Sequence, residues 1–109
     1  MRVTIMSDSI TLSSMVVAAA DQVSSELQEG DTAILNLKDG VYYGLNSVGS
    51  RIWNLIQSPK SVLELRDTLL AEYEVDAEVC TRELIDLLEN LSSKKLIEIQ
   101  WDGESRSLL

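Results

Sequence analysis

The chain of 109 residues contains no histidine and a single cysteine, Cys80. Without histidine it lacks the usual general base at neutral pH and the commonest metal ligand. One cysteine cannot form an intrachain disulfide, and nothing points to an oxidising compartment. Cys80 has no histidine to activate it as a nucleophile. It also shares a helical row with Leu84, Leu87 and Leu91, the pattern of a buried core thiol. Positive charge is scarce: 9 Lys and Arg stand against 18 Asp and Glu, a formal net charge of -9. That balance argues against nucleic acid as a partner, because phosphate binding depends on Lys and Arg. No apolar run approaches the ~20 residues a membrane helix needs, so no membrane partner is expected. Residues 15–20 end in small side chains, as signal-peptide cleavage regions do. Asp8 and several serines interrupt the apolar stretch that should precede them, and a cytoplasmic location is the expectation. There is no convincing carboxylate pair, Gly-rich phosphate loop, zinc spacing or nucleophile elbow. The chain is therefore expected not to be an enzyme, with no catalytic residue, metal or cofactor.

Hydrophobic residues make up 45% of the sequence, enough for one folded domain with one modest core. The most informative stretch runs from Asp39 to Trp53. It reads as a tight turn, a short aromatic strand, a helix cap and an amphipathic helix with almost no spacer. Before it, residues 10–12 are a candidate short strand, and Val23-Ser24-Ser25-Glu26-Leu27 alternates weakly as another. Glu29-Gly30-Asp31 marks a turn. Residues 32–37 are rich in branched side chains and read as a strand. Asp39-Gly40 is a strong hairpin signal. The return strand over 41–45 places Val41, Tyr43 and Leu45 on one face, with Tyr42 and Gly44 on the other.

Asn46 or Ser47 is positioned to cap a first helix, with Val48, Ile52, Leu55 and Ile56 on its buried face and Trp53 widening it. It stops before Ser58-Pro59. Ser61 and Glu64 form a capping box for a second helix, with Val62, Leu65, Leu69 and Tyr73 on one side. Asp76 is placed to cap a third helix running to about residue 92. Its predicted core face is Ala77, Cys80, Leu84, Leu87, Leu88 and Leu91. Residues 96–101 alternate as a final strand. Residues 1–14 form an N-terminal segment, 15–101 the domain, and 102–109 a tail expected to fray.

The fold class expected is α+β. A small three-stranded antiparallel sheet precedes three helices and a strand, in the outline of a winged helix-turn-helix. That outline raises the possibility of a DNA-binding regulator. The third helix opposes it: Glu72, Glu74, Asp76, Glu78, Glu83, Asp86 and Glu89 lie on or beside it, against Arg82 alone. A recognition helix of that sign repels phosphate. The acids are read either as a solvated face or as a surface for a basic peptide. Val79 and Ile85 flank the core stripe, as partly buried residues or as the lining of a groove beside the sheet. The free edge of a small sheet is a hydrogen-bonding template, and Gly44 leaves room for close backbone approach. A permanent partner held on that edge, as by an inhibitor or structural subunit, is a further reading.

These residues resemble a known family. Val23-Ser24-Ser25-Glu26-Leu27, Ala33-Ile34-Leu35-Asn36-Leu37, Gly40-Val41-Tyr42-Tyr43-Gly44-Leu45-Asn46 and Val48-Gly49 with Ile52-Trp53 are similar to the PqqD family. Tyr73-Glu74-Val75, the third helix and Leu96-Ile97-Glu98 continue the likeness, which spans roughly residues 15–100. The resemblance implies a non-catalytic recognition element for ribosomally made, modified peptides. It implies a three-stranded sheet packed on a winged helix-turn-helix, with the precursor's leader bound as an added strand between the third strand of that sheet and the third helix. On this chain the implied peptide-binding residues are Val41, Tyr42, Tyr43, Gly44, Leu45, Val79, Glu83, Leu84 and Leu87. The short chain with Val-Gly-x-x-Ile-Trp is most similar to the leader-recognition protein of lasso-peptide clusters. That implies a leader peptidase, a cysteine protease, as partner. Service to a radical-SAM modifying enzyme is the alternative the family offers.

Overall fold

The computed structural model describes residues 10–100. One antiparallel sheet is formed by β2 (Gln22–Glu26), β3 (Thr32–Asn36) and β4 (Tyr42–Leu45), with β3 in the middle. Along β3, Thr32, Ile34 and Asn36 are buried while Ala33 and Leu35 are only partly covered. That alternation sets the inner face of the sheet. Ile34 is opposite Tyr43 and Thr32 opposite Leu45, so Tyr43 and Leu45 share this inner face. Tyr42 points the other way and is 70% exposed.

The Glu29-Gly30-Asp31 turn forms where expected, while the connection at Asp39-Gly40 is wider than a tight hairpin turn. Between β2 and β3, Glu29 and Gly30 take positive φ (64° and 83°). A type I′ turn requires two such residues in succession. The Asp39-Gly40 signal instead closes a longer loop. Leu37, Lys38, Asp39 and Gly40 lie between Asn36 and Val41, whose backbones are joined by a 3.0 Å bond from Asn36 N to Val41 O. Only Gly40 among these four has positive φ. The cause is local: Asn36 Oδ1 accepts the Lys38 N–H at 2.8 Å, and Asp39 Oδ1 accepts the Val41 N–H at 3.0 Å. These side-chain bonds favour the wider loop. Val41 therefore ends the loop, and β4 begins at Tyr42.

Helix α1 (Ser47–Leu55) follows β4 at once, its N-terminus capped by Asn46 Oδ1 accepting from Gly49 N at 2.9 Å. Helix α2 (Val62–Glu72) carries the expected capping box, with Glu64 N donating to Ser61 Oγ and Ser61 N to Glu64 Oε1. Helix α3 (Ala77–Ser93) begins where Asp76 accepts from Glu78 N and Val79 N. It ends with Lys95 at φ 62° and a 3.0 Å bond from Leu96 N to Leu91 O. This is a Schellman closure with lysine where glycine is usual.

A second antiparallel sheet has the order β5 (Lys60–Ser61), β1 (Met15–Ala18), β6 (Ile97–Gln100). The expected strand at residues 10–12 is a correction: Leu12 and Ser13 form a turn, and the strand starts at Met15. Residues 10–14 instead brace the start of α2. Leu12 O accepts from Leu63 N, and Ser14 O accepts from Val62 N. The expected tail at 102–109 lies outside the described residues.

The core joins both sheets to the helices. Val16, Ile34, Trp53, Ile56, Val62, Leu65, Leu88, Leu91 and Leu96 are its most enclosed side chains. All three helices depart from their predicted faces: Tyr73, expected on the α2 face, follows the end of α2 and is 38% exposed. In α1 the buried residues are Gly49, Ser50, Ile52 and Trp53, while Val48 is 38% exposed and Leu55 half-buried. In α3, Ala77 is exposed and Leu87 half-buried. Val48 and Leu87 border the site described next. Among the described residues, no helix is long and apolar enough to cross a membrane.

Candidate peptide-binding groove

One edge of β4 is bonded to β3; the other has no strand partner among the described residues. A groove of about 430 Å³ lies between that edge and α3. Tyr43, Gly44 and Leu45 form one wall, and Cys80, Glu83, Leu84 and Leu87 the other. Spacings of four and three residues put Cys80, Leu84 and Leu87 on one helical stripe. The groove then continues past the end of β4. Val48, Gly49 and Ile52 of α1, with Leu69, Tyr73 and Val75 around the α2–α3 junction, line this extension.

Two glycines shape the wall, for different reasons. A Cβ on Gly49 would stand 3.1 Å from Leu45 Cδ2 and 3.3 Å from Leu45 Cβ. The first turn of α1 lies this close to β4 only because Gly49 lacks one. A Cβ on Gly44 would meet nothing within 4 Å, so the backbone there is open to an incoming strand.

Six of the nine residues expected at the site line the groove: Tyr43, Gly44, Leu45, Glu83, Leu84 and Leu87. Three do not. Val41 lies in the loop before β4 and is 51% exposed. Tyr42 faces the outer side of the sheet by the period of two. Val79 is half-buried one turn before Glu83 and is not among the groove's lining residues. Ile85, on the opposite flank, packs against the core. The extension formed by α1 and the α2–α3 junction was not anticipated. The available signal was Val75, an apolar residue in the linker between two helices; Tyr73 is assigned by sequence to the α2 face, but α2 ends at Glu72 and leaves it 38% exposed.

Several interactions hold these walls. Asn36 is only 6% exposed, and its Nδ2 donates to Lys94 O at 3.1 Å, across 58 positions of sequence. This bond ties the end of α3 to the central strand of the sheet. Lys94 also carries its ammonium over the Tyr43 ring, 5.9 Å from the centroid. At the other end, Arg51 of α1 grips Glu72 with a bidentate bond: Nε to Oε1 at 3.0 Å and a second guanidinium nitrogen to Oε2 at 2.7 Å. The Arg51 guanidinium holds the Glu72 carboxyl below its ordinary range, and Glu72 raises Arg51 in turn. The pair fixes the last turn of α2 just before Tyr73. Burial pushes the Cys80 thiol up, and nearby Glu83 adds to this while Arg66 opposes it. Burial thus disfavours the Cys80 thiolate, the reactive form.

Among the described residues, no group of His, Cys, Asp or Glu is arranged to hold a metal ion. An apolar trough beside an unpaired strand edge is suited to an extended peptide. The edge supplies backbone donors and acceptors, and the trough receives alternate side chains.

Comparison with known proteins agrees with this geometry. Residues 31–97 match the family model described as coenzyme PQQ synthesis protein D (PqqD). Among solved structures, the chain is similar to TbiB1, determined in complex with the TbiA(beta) leader peptide. The two are 38% identical, with a TM-score of 0.70 over 75% of this chain and 94% of that one. No curated protein matches the chain. The matched region is more than half of the sequence, and the chain belongs to the PqqD family.

Proposed function

We propose that this PqqD-family protein binds the leader segment of a ribosomally made precursor peptide and presents the precursor to a processing enzyme. The leader adds as a strand to the open edge of β4, and its inward side chains enter the trough against α3. The observation that carries this reading is the groove itself: an apolar lining beside a strand edge that no described strand covers. The similarity to TbiB1, solved with a leader peptide, supports it. Backbone pairing gives affinity whatever the leader's sequence, and the pockets give selectivity. Presentation then raises the rate of the processing step by holding the cleavage site near the enzyme. The enzyme proposed is a leader peptidase of the cysteine-protease type, as the Val48-Gly49…Ile52-Trp53 signature and its lasso-peptide resemblance suggest.

The test is direct. The TbiA(beta) leader peptide, the ligand solved with TbiB1, is titrated while amide exchange is followed across β4. The Tyr42 and Gly44 amides, which alternation from the bonded Asn36–Val41 pair turns to the open edge, are expected to slow at saturation. Alkylation of Cys80, the single thiol at the groove wall, is expected to slow in parallel. Unchanged exchange and unchanged alkylation at saturating leader reject strand addition in this groove. Peptidase activity on the precursor, measured with and without this protein, tests presentation separately.

A further inference from the structure

The groove is not electrically uniform. Glu83 faces it from the middle of α3, with Asp76 and Glu78 beyond toward the start of the helix. Beyond the other end, outside the lining itself, Lys94 follows the last turn of α3 and holds its ammonium over groove-lining Tyr43. Glu83 and Lys94 are both exposed, and neither belongs to an ion pair among the described residues. A lysine at a helix C-terminus is favoured by the helix dipole alone. The dipole explains its place in sequence but not its position over Tyr43. The bond from Asn36 to Lys94 O further anchors its backbone to β3, so the charge is presented from a fixed point.

Spacing and direction follow from the same elements. The eleven positions from Glu83 to Lys94 span about 16 Å at ~1.5 Å per helical residue. An extended peptide covers that distance in about five residues at ~3.3 Å each. Backbone pairing by itself does not read sequence. It does favour antiparallel addition, the more stable ladder and the pattern already present in this sheet. β4 runs from the Lys94 end, at Tyr43, toward the extension beyond Leu45. An antiparallel partner therefore enters near Glu83 and leaves near Lys94.

We infer that the groove reads charge order: it selects a strand with a basic side chain followed, about five residues later, by an acidic one. Glu83 takes the base and Lys94 the acid. This inference rests on the peptide-binding reading above and adds a specificity rule to it. Neither charge acts on a reaction; both orient the bound strand.

Selection from a random displayed-peptide library tests it. The intact protein and the double variant Glu83→Lys, Lys94→Glu are used as targets. Leu87→Arg, which plugs the trough, removes peptides that bind elsewhere. Both charge positions are exposed, so the double variant is expected to keep the parent's circular dichroism. The parent is expected to enrich groove-dependent peptides with Lys or Arg before Asp or Glu. The double variant is expected to enrich the reverse order. Synthetic peptides of the two orders should differ by about tenfold in affinity for the parent, since two exposed contacts are involved. That ratio should shrink as salt rises. Groove-dependent peptides with no charge order, or with the same order on both targets, overturn the inference and leave the groove reading intact. A selection with no groove-dependent peptide at all overturns both.

Discussion

Asn36 should control the leader groove from behind it. Its amide does two jobs: Nδ2 donates to Lys94 O at 3.1 Å, and Oδ1 accepts from Lys38 N at 2.8 Å. Replacement by leucine keeps the bulk and removes both bonds. Each is worth about 1 kcal/mol net, and a carbonyl left unpaired in a buried site adds roughly 1–3 kcal/mol. The total is about 3–5 kcal/mol. That is less than the ~5–15 kcal/mol stability of an ordinary domain, so Asn36→Leu should still fold. Its Tm should fall by about 12–40 °C for a chain of this size. Leader affinity should fall as well, measured by fluorescence anisotropy well below the variant's Tm. The reason is geometric: without the tie, the end of α3 is no longer fixed against β3, and Tyr43 and Leu87 lose their spacing.

A matched control separates the two effects. Val62 is fully buried near the start of α2, away from the groove. Val62→Ala should cost a similar few kcal/mol through lost burial and a cavity. If Asn36→Leu and Val62→Ala lose equal stability and equal affinity, the tie does not set the groove and the reasoning fails. Asn36→Asp is the sharper variant. It keeps an acceptor for Lys38 N–H but sets an oxygen against Lys94 O. It should bind leader as poorly as Asn36→Leu; parent-like binding by Asn36→Asp would equally refute the argument.

Other expectations can be checked on the free protein. Lys95 and Glu29 occupy the left-handed region, where non-glycine residues carry roughly 1 kcal/mol of strain. Lys95→Gly and Glu29→Gly should each raise Tm by several degrees in a thermal melt. The Glu72 carboxyl is held down by Arg51, so the stability this pair contributes is present above the ordinary carboxylate pKa and is lost as pH falls through the depressed one. Denaturation of Glu72→Gln from neutral to acid pH should show a flatter decline than the parent. The Cys80 thiol is raised by burial, so its contribution is complete below the ordinary thiol pKa and lost as pH rises through the raised one. Cys80→Ala should remove that alkaline dependence, and alkylation of the parent should be slow at neutral pH.

The local elements were legible wherever the signal was local. The capping box at Ser61 and Glu64, the Asn46 cap and the Asp76 cap each depend on residues within three positions, and each formed as read. The face of β4 also followed from alternation alone. What failed was long-range or competitive. β1 is four residues long and pairs with Ile97–Gln100 at the far end of the chain, a register no local pattern announces. Asp39-Gly40 signals a tight hairpin turn, but the preceding Asn36 side chain captures the Lys38 N–H and the loop is wider. Similar limits applied at the site. Six of the nine expected residues line the groove because they sit on the β4 backbone or on the inward stripe of α3. Val79 flanks the core stripe one turn before Glu83 but does not line the groove. Val48, Tyr73 and Val75 were missed because their neighbours in space come from three different elements.

The extension beyond β4 has an energetic consequence for the proposed function. Ordering each residue of a flexible peptide costs about 1–2 kcal/mol in backbone entropy. A five-residue added strand therefore opposes binding by roughly 5–10 kcal/mol before any side chain is fixed. Its backbone hydrogen bonds replace bonds to water and return only about 1 kcal/mol each. The deficit must come from apolar burial, at about 1.5–3 kcal/mol for each well-enclosed anchor. Side chains alternate along a strand, so five residues offer two or three anchors to the β4–α3 trough. That is close to break-even. A further anchor seated between Val48, Tyr73 and Val75 would make association favourable. All three are more than a third exposed in the free protein and stand at the mouth of the extension. Tyr73→Ala should then weaken leader binding by more than an alanine at exposed Tyr42, which faces away from the groove. Titration of both folded variants decides this. Equal affinities would mean that the leader ends at the edge of β4 and that the extension lies outside the site.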